Sequence, residues 1–413
     1  TAPVHTKGTE TYGDIDWQFL HSGTGFIKIT GFTSATQVTA DVKSTLPASV
    51  VSSSNPTTKW SEGAFSAVRG FPKALAFYEE RLFFAGTTHQ PQSIFGSVSA
   101  DFENHTPGTN DDDAVNITIA SDQVNVIKHL LPGRFLQILT TSAEFTLSGG
   151  TGTSPVTPTN VNVLRETTFG TSQIRPLRAG NSTILVQKGT EKVKEITFDL
   201  DTDGLLGVDL TVLADHITRG GITDMIWQQE PELILWFVGA DGALIGLTYD
   251  RANGTVGWHG HQLGDSGIVE SITAIPSGAE DQVYLSVKRT INSATVRHIV
   301  FLKSINFGSD ITDAFFVDSG LTYSGSATTT ITGLNHLEGE TVQILADGSA
   351  HADKTVSGGS ITLDRSATKV HIGLGFTSFI KTLRLEGGAN DGTSQGKIKR
   401  IHGVTARFLD TVG

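Results

Sequence analysis

Apolar and polar residues alternate with a period of two along most of this chain, in short runs separated by turn residues. The most legible stretch is 222–261, with strand-like runs at 222–228, 233–238, 243–249 and 254–261. The joints are Gln229-Glu230-Pro231, Ala240-Asp241-Gly242 and Asp250-Arg251-Ala252-Asn253-Gly254. Asp-Gly and Asn-Gly tolerate positive φ, and between β-rich runs they mark hairpins. The pattern predicts four consecutive antiparallel strands in about 40 residues, the size of one propeller blade. The run Leu233-Ile234-Leu235-Trp236-Phe237 is continuously apolar rather than alternating. Such a strand needs cover on both faces, as a sheet packed between two other sheets receives.

The pattern recurs. The most apolar strand of each unit begins at Leu82, Phe135, Thr183, Leu233 and Val283, a spacing of about 50 residues. A strand is expected before each, at 74–80, 125–131, 174–179, 222–228 and 270–276. Another is expected after each, at 93–99, 144–148, 191–198, 243–249 and 297–304. The residues of the five units are not alike, so the repeat is one of pattern. The reading is a mainly β fold, with a β-propeller-like domain of about five to six blades over residues 56–318. The alternative is a β-sandwich of irregular spacing. One short helical turn is expected at 211–216.

Small antiparallel β-domains flank that region. In residues 1–55, Ile15, Trp17 and Phe19 alternate, as do Ile27 and Ile29, then Val38, Ala40 and Val42. A linker is expected at 52–58, rich in Ser, Thr and Pro. In residues 319–413 the alternation is cleaner, at Val342, Ile344 and Ala346, at Ile361 and Leu363, and at Val370 and Ile372. This predicts an antiparallel, platform-like sheet with one wet face. Its last expected strand, Lys397-Ile398-Lys399-Arg400-Ile401-His402, is the densest basic cluster.

Composition narrows the class. The 413 residues include 46 Gly, one Met (Met225) and no Cys, and 17% are charged. Disulfides, Cys-ligated zinc and thiol catalysis are excluded. No apolar run is long enough to cross a membrane as a helix. The net charge of −12 makes general nucleic-acid binding unfavourable, because affinity for phosphates comes from Lys and Arg. The start, Thr1-Ala2-Pro3, carries neither an initiator Met nor a signal peptide, so a piece of a longer chain is expected.

Candidate chemistry is sparse. Asp199, Asp201 and Asp203 precede Gly204 with the alternate-position spacing of a calcium loop. The twelfth and ninth positions, Leu210 and Gly207, lack the acids such loops need, and a polar hairpin turn is the competing reading. Asp111-Asp112-Asp113 reads as a cation site or a solvated loop. His259 and His261 would share one strand face, as a metal pair without a recognisable third ligand or as strand-edge histidines. Lys397, Lys399 and Arg400, with Arg407, read as a contact for DNA or an acidic subunit, or as a solvated face. Metalloprotease, nucleophile-elbow and phosphate-loop motifs are absent; 392–397 is one residue short of a phosphate loop. No catalytic residue and no cofactor is expected, calcium being the one candidate ion.

A family resemblance enters at Phe77-Tyr78-Glu79-Glu80-Arg81-Leu82-Phe83-Phe84-Ala85-Gly86. It continues through Gln90-Pro91-Gln92-Ser93-Ile94-Phe95-Gly96-Ser97 and Asp101-Phe102-Glu103-Asn104. With Ala214-Asp215-His216-Ile217-Thr218, Gln228-Gln229-Glu230-Pro231, Gly333-Leu334-Asn335-His336-Leu337-Glu338-Gly339-Glu340, Trp17 and His21, these stretches resemble the tail nozzle proteins (tail tubular B type) of short-tailed, podovirus-type bacteriophages. Each stretch is structural rather than catalytic. The resemblance implies a non-enzymatic virion component, a homo-oligomer forming a hexameric ring at the distal end of the tail tube. It further implies an adaptor protein above, tail fibres at the side, DNA passing through the lumen without specific binding, and assembly in the host cytoplasm. The competing expectation is a propeller glycan hydrolase or carbohydrate-binding tail protein.

Overall fold

The computed structural model describes residues 15–20, 24–43, 45–48, 60–150, 154–201, 203–382, 393–394 and 396–407. The chain is mainly β and propeller-like, and it divides into two compact units. Thr1–Pro176, Ser182–Lys188 and Lys194–Val208 form the first; Leu177–Asn181, Gly189–Val193 and Asp209–Gly413 form the second.

The first unit opens with β1 (Ile15–Leu20), β2 (Thr24–Ser34), β3 (Gln37–Val42) and β4 (Trp60–Glu62), in the sheet order β3-β2-β1-β4. Strand β4 lies beyond the expected linker and pairs with β1 through Phe19↔Trp60 and Trp17↔Glu62. The linker itself, 52–58, lies outside the described residues. Two sequential meanders follow. One is β5 (Ala74–Tyr78), β6 (Arg81–Ala85), β7 (Ser93–Gly96) and β8 (Val115–Thr118); the other is β9 (Ile127–Leu131), β10 (Leu136–Thr140), β11 (Glu144–Ser148) and β12 (Asn162–Thr167).

Strands β10 and β11 are buried at every position, whereas β12 has no buried position. A strand buried on both faces has a sheet on either side, and the core shows it. Phe83 and Ile94 of one meander pack in one apolar cluster with Ile127, Leu136, Ile138 and Leu147 of the next. Leu139 turns to the opposite face and packs with Leu185, Ile196 and Leu205.

Those partners belong to a third meander: β13 (Leu177–Ala179), β14 (Ser182–Val186), β15 (Val193–Asp199) and β16 (Gly204–Asp209). The second unit then contains α1 (Asp215–Thr218) and a fourth meander, β17 (Ile222–Gln228), β18 (Ile234–Gly239), β19 (Leu244–Asp250) and β20 (Thr255–His261). A fifth sheet has three strands, β21 (Ile268–Ser277), β22 (Glu280–Ile291) and β23 (Ala294–Phe301). Trp236, Val238 and Leu244 pack with Val269, Val283 and Leu285 to join the fourth and fifth sheets. The last sheet, β24 (Asp318–Thr332), β25 (Thr341–Ala346), β26 (Ser349–Thr355) and β27 (Ser360–Leu374), has the order β24-β27-β25-β26. Its core of Ile331, Leu334, Leu337, Val342, Ile361 and Val370 also takes in Ile291 of β22.

Three local expectations change. The helical turn moves from 211–216 to Asp215–Thr218, because Asp209 holds residues 209–211 in a turn by accepting from the Thr211 backbone N–H and hydroxyl. The runs at 361–363 and 370–372 belong to the single long strand β27. Residues 397–402 form no strand. Ile398 and Ile401 are exposed there, at 103% and 67%, and a strand draws its stability from pairing and a covered face.

Two acids sit inside the first unit, Glu144 and Glu195. Glu144 is fully buried, and its Oε2 accepts from the Thr167 hydroxyl and, at 3.2 Å, from the Phe169 N–H. Burial raises its pKa, the hydrogen bonds opposing that rise. A raised carboxylate contributes stability fully below its unfolded pKa and loses it as pH rises through the folded value. Glu144→Gln keeps an acceptor without a charge to bury. Urea unfolding of the variant is expected to lose less stability between pH 4.5 and pH 7 than the parent, by about 1 kcal/mol.

Candidate functional site

A cleft of about 1900 Å³ lies within the second unit. It is built from the outer part of the fourth meander, from β23, and from segments on either side of the last sheet. Trp236, His259 and His261 line one part; Ile299, Phe301 and Phe316 line another.

The histidines are brought together as their spacing implied, since successive odd positions of β20 share a face. His259 Nδ1 lies 2.7 Å from His261 Nε2, and His259 Nε2 lies 3.2 Å from the Thr248 hydroxyl. Both rings pack on Trp236, with centroids at 6.0 and 4.8 Å. Trp236 is itself fixed by its indole N–H, which donates to Gln228 Oε1 at 2.8 Å. Gly246 faces His259 across the ladder, and a Cβ there would sit 2.1 Å from the imidazole. A side chain at 246 would therefore expel the ring from its place.

Desolvation lowers the pKa of both imidazoles, and the neighbouring His259 adds to the effect on His261, which falls to about 4. The pair is neutral at physiological pH, with one N–H donated to the other ring's lone pair. His298 and His336 also line the cleft, with rings 6.1 Å apart. Burial and His336 lower the His298 pKa, while His336 Nε2 is 2.9 Å from the Ser319 carbonyl. The cleft thus presents aromatic faces and, at His259 and His261, uncharged imidazoles.

Three of its charged groups, Arg297, Asp281 and Asp318, are tied into the frame. Arg297 is gripped by both oxygens of Glu270, at 2.7 and 3.0 Å. Asp281 accepts from the Gln229 and Glu230 N–H groups and so pins the turn after β17. Asp318 meets Arg289 at 2.6 Å and accepts from the Gly264 N–H at 2.7 Å, while Arg289 also donates to the Gly264 carbonyl. Arg289 is buried, so this knot holds β22, the turn at 264–266 and the start of β24 to one another.

The other candidates lie elsewhere. Asp199 ends β15, and Asp201 and Asp203 sit exposed in the hairpin turn to β16, Asp203 at φ +47°. Among the described residues no three His, Asp or Glu side chains are placed to hold one metal ion. Lys397, Lys399 and Arg400 lie exposed on the segment after the last sheet.

The Asp111-Asp112-Asp113 loop does surround a cation, but an internal one, and with its carbonyls. Arg81 is 3% exposed. Its guanidinium donates to the carbonyls of Ser97 and Asp113 at 2.6 Å, Asp111 at 2.6 Å and Asp112 at 3.3 Å. Burial lowers the Arg81 pKa, opposed by Asp112, Glu79 and Asp113. Sequence reasoning missed this because carbonyl acceptors carry no residue signature; an Arg opening an apolar strand was the available sign.

No family model matches the chain, and no curated protein matches it. Among solved structures it is similar to YCF48 from Cyanidioschyzon merolae, at 9% identity, covering 89% of this chain and 97% of that one, with a TM-score of 0.35. It is similar also to the β-propeller domain of Cps50 (Swd1) from Myceliophteria thermophila, at 9% identity, covering 69% and 85%, with a TM-score of 0.34. At these values the likenesses carry no inference about this chain.

No helix among the described residues is long and apolar enough to cross a membrane.

Two outcomes follow from this geometry. Arg81→Lys leaves at least one of the four carbonyls unmatched, because an ammonium has three donors and cannot reproduce the planar fork. Denaturant unfolding should show a loss of about 2–4 kcal/mol. For the imidazole pair the sign is opposite to that of Glu144: a lowered folded pKa means that stability is lost as pH falls, beginning near the usual 6.5 and running toward about 4. Replacing His259 and His261 together with Gln should flatten the fall in melting temperature across that window.

Proposed function

We propose that this chain is a structural subunit of the tail of a short-tailed bacteriophage, part of the nozzle ring through which DNA leaves. The observation that carries the reading is the set of sequence stretches shared with that family, taken with the places they occupy. Residues 77–86 make the β5–β6 hairpin and supply the buried Arg81. Residues 90–97 make β7. The 228–231 turn is the one pinned by Asp281. Residues 333–340 place Leu334 and Leu337, both fully buried, in the core of the last sheet. These are framework positions, as expected of a protein whose role is mechanical.

Two further features support the reading. Each unit bares large apolar side chains. In the first, Leu75 and Phe77 of β5 are 63% and 58% exposed, and Phe77 meets Phe102 edge-on at 5.1 Å. In the second, Ile299 is 72% exposed and Phe301 47%. Permanent rings bury such surface between subunits. The net charge of −12 suits a conduit that must not hold its phosphate-rich cargo. In this reading the ring attaches to an adaptor protein, carries tail fibres, and is assembled in the host cytoplasm into the virion tail.

The test is direct imaging. Purified protein mixed with tail extract should give sixfold rings capping tubes in electron micrographs, and light scattering should report about six copies. Monomers at every concentration, with no density at the tube end, would overturn the reading.

A further inference from the structure

The fifth sheet stops one strand short. The four meanders before it each have four strands in sequential order, whereas β21-β22-β23 ends at β23. The hairpin geometry fixes which groups this leaves open. Asn292 and Ser293, at φ +47° and +63°, form a two-residue turn closed by the pair Ile291↔Ala294. In such a hairpin the closing pair exchanges both hydrogen bonds, and alternate pairs along the ladder repeat that pattern. The Leu302 N–H bonding to the Val283 carbonyl keeps the same parity. Thr295, Arg297, Ile299 and Phe301 therefore aim their N–H and C=O groups away from β22, and no neighbouring strand receives them among the described residues. Their side chains share one exposed face, while Val296 and Val300 pack inward.

A second incompleteness lies in the same chain. Residues 396–407 are rich in β-branched residues, yet they form no strand. Ile398, Ile401 and Val404 are bare, at 103%, 67% and 83% exposure. This segment carries Lys397, Lys399, Arg400 and Arg407 and no acid. The cleft beside β23 is lined by five carboxylates, including Glu232, Glu280 and Asp281, against the two cations Arg297 and Lys303. The chain leaves the last sheet along this cleft, where Phe376 and Phe379 line it, but the basic segment does not cover it.

We propose that residues 396–407 of a second copy of this chain add to β23 as the missing fourth strand. The edge supplies main-chain donors and acceptors, Ile299 and Phe301 supply apolar contact, and the acidic cleft favours the basic segment. Donor and acceptor are different surfaces, so the contact is head-to-tail and propagates from copy to copy. Its closure into a ring rests on the function proposed above; the strand exchange does not.

The absence of cysteine gives a background-free test. A tagged copy carrying Phe301→Cys is mixed with an untagged copy carrying Ile398→Cys, Ile401→Cys or Val404→Cys, and mildly oxidised. A disulfide-linked pair of chains is expected from at least one donor. Adding Ile299→Pro to the acceptor removes an outward N–H without touching the β22 ladder, and should lower the yield about tenfold, whereas Ile299→Val should not. Removing residues 396–413 from the parent chain should abolish the association seen by light scattering, with circular dichroism reporting an unchanged β fold. No linked pair from any donor, with every variant folded, overturns the proposal. So does linkage confined within single chains that carry both cysteines at high dilution. Rings that persist without residues 396–413 overturn the exchange and leave the ring reading standing; linked copies that never close overturn the ring and leave the exchange standing.

Discussion

A sheet that is apolar on both faces has to be covered twice, and this requirement organises the chain. Every position of β10, β11 and β14 is buried. Cross-strand hydrogen bonds hold each meander together but leave its two faces wet, and only another sheet can dry them. The cost of breaking the pattern is therefore shared between neighbours. Phe83, Ile138 and Leu147 sit in one cluster although they come from two meanders. A cavity opened at any of them is felt by two sheets, since protein interiors are close-packed.

Burial on this scale leaves the connecting loops with polar backbone near dry surfaces, and charged side chains are used to satisfy it. Arg81 gathers four carbonyls from residues 97–113, a stretch that contains no strand. Asp281 and Arg289 do comparable work in the second unit, one for the turn after β17 and one for the turn at 264–266. These groups serve as joints between elements. Glu79 belongs with them. Residues 79 and 80 both adopt positive φ in the β5–β6 turn, at 46° and 57°, which is costly for side-chain-bearing residues. Glu79 offsets part of that cost by accepting the Val156 N–H at 2.7 Å.

Much of the strand pattern was legible because period-two alternation and hairpin dipeptides are local signals. The run 222–228 coincides with β17, and 144–148 with β11. The turns that could be read were those with Asp-Gly or Asn-Gly; the Glu79-Glu80 turn has no such signature, because tertiary contact makes it. The aspartates of 199–203 were ambiguous for a physical reason. Alternate acids before a Gly suit a cation, and the same residues suit a solvated hairpin turn, where the structure places them. The histidine pair was legible as a shared face, but its packing on Trp236 and the space left by Gly246 depend on register across three strands. Residues 397–402 have strand composition but form no strand, and composition cannot specify which strand a segment would pair with.

An open sheet edge is a hazard that proteins ordinarily blunt with charge, proline, glycine or irregularity. The outer strands of the other meanders follow that rule in part: β20 ends in Gly257, Gly260 and two histidines, and β12 places Arg165 outward. Strand β23 does not. Its one outward cation, Arg297, is already matched by Glu270, so its charge does little to repel an incoming chain. Beyond it stand Ile299 and Phe301, on a strand whose register with β22 is unbroken from 284 to 301. A straight edge with bare apolar side chains and neutralised charge is poorly protected against pairing and well prepared for it. A molecule that left this edge unoccupied would be expected to aggregate through it, and a specific fourth strand gives the same physics a defined end.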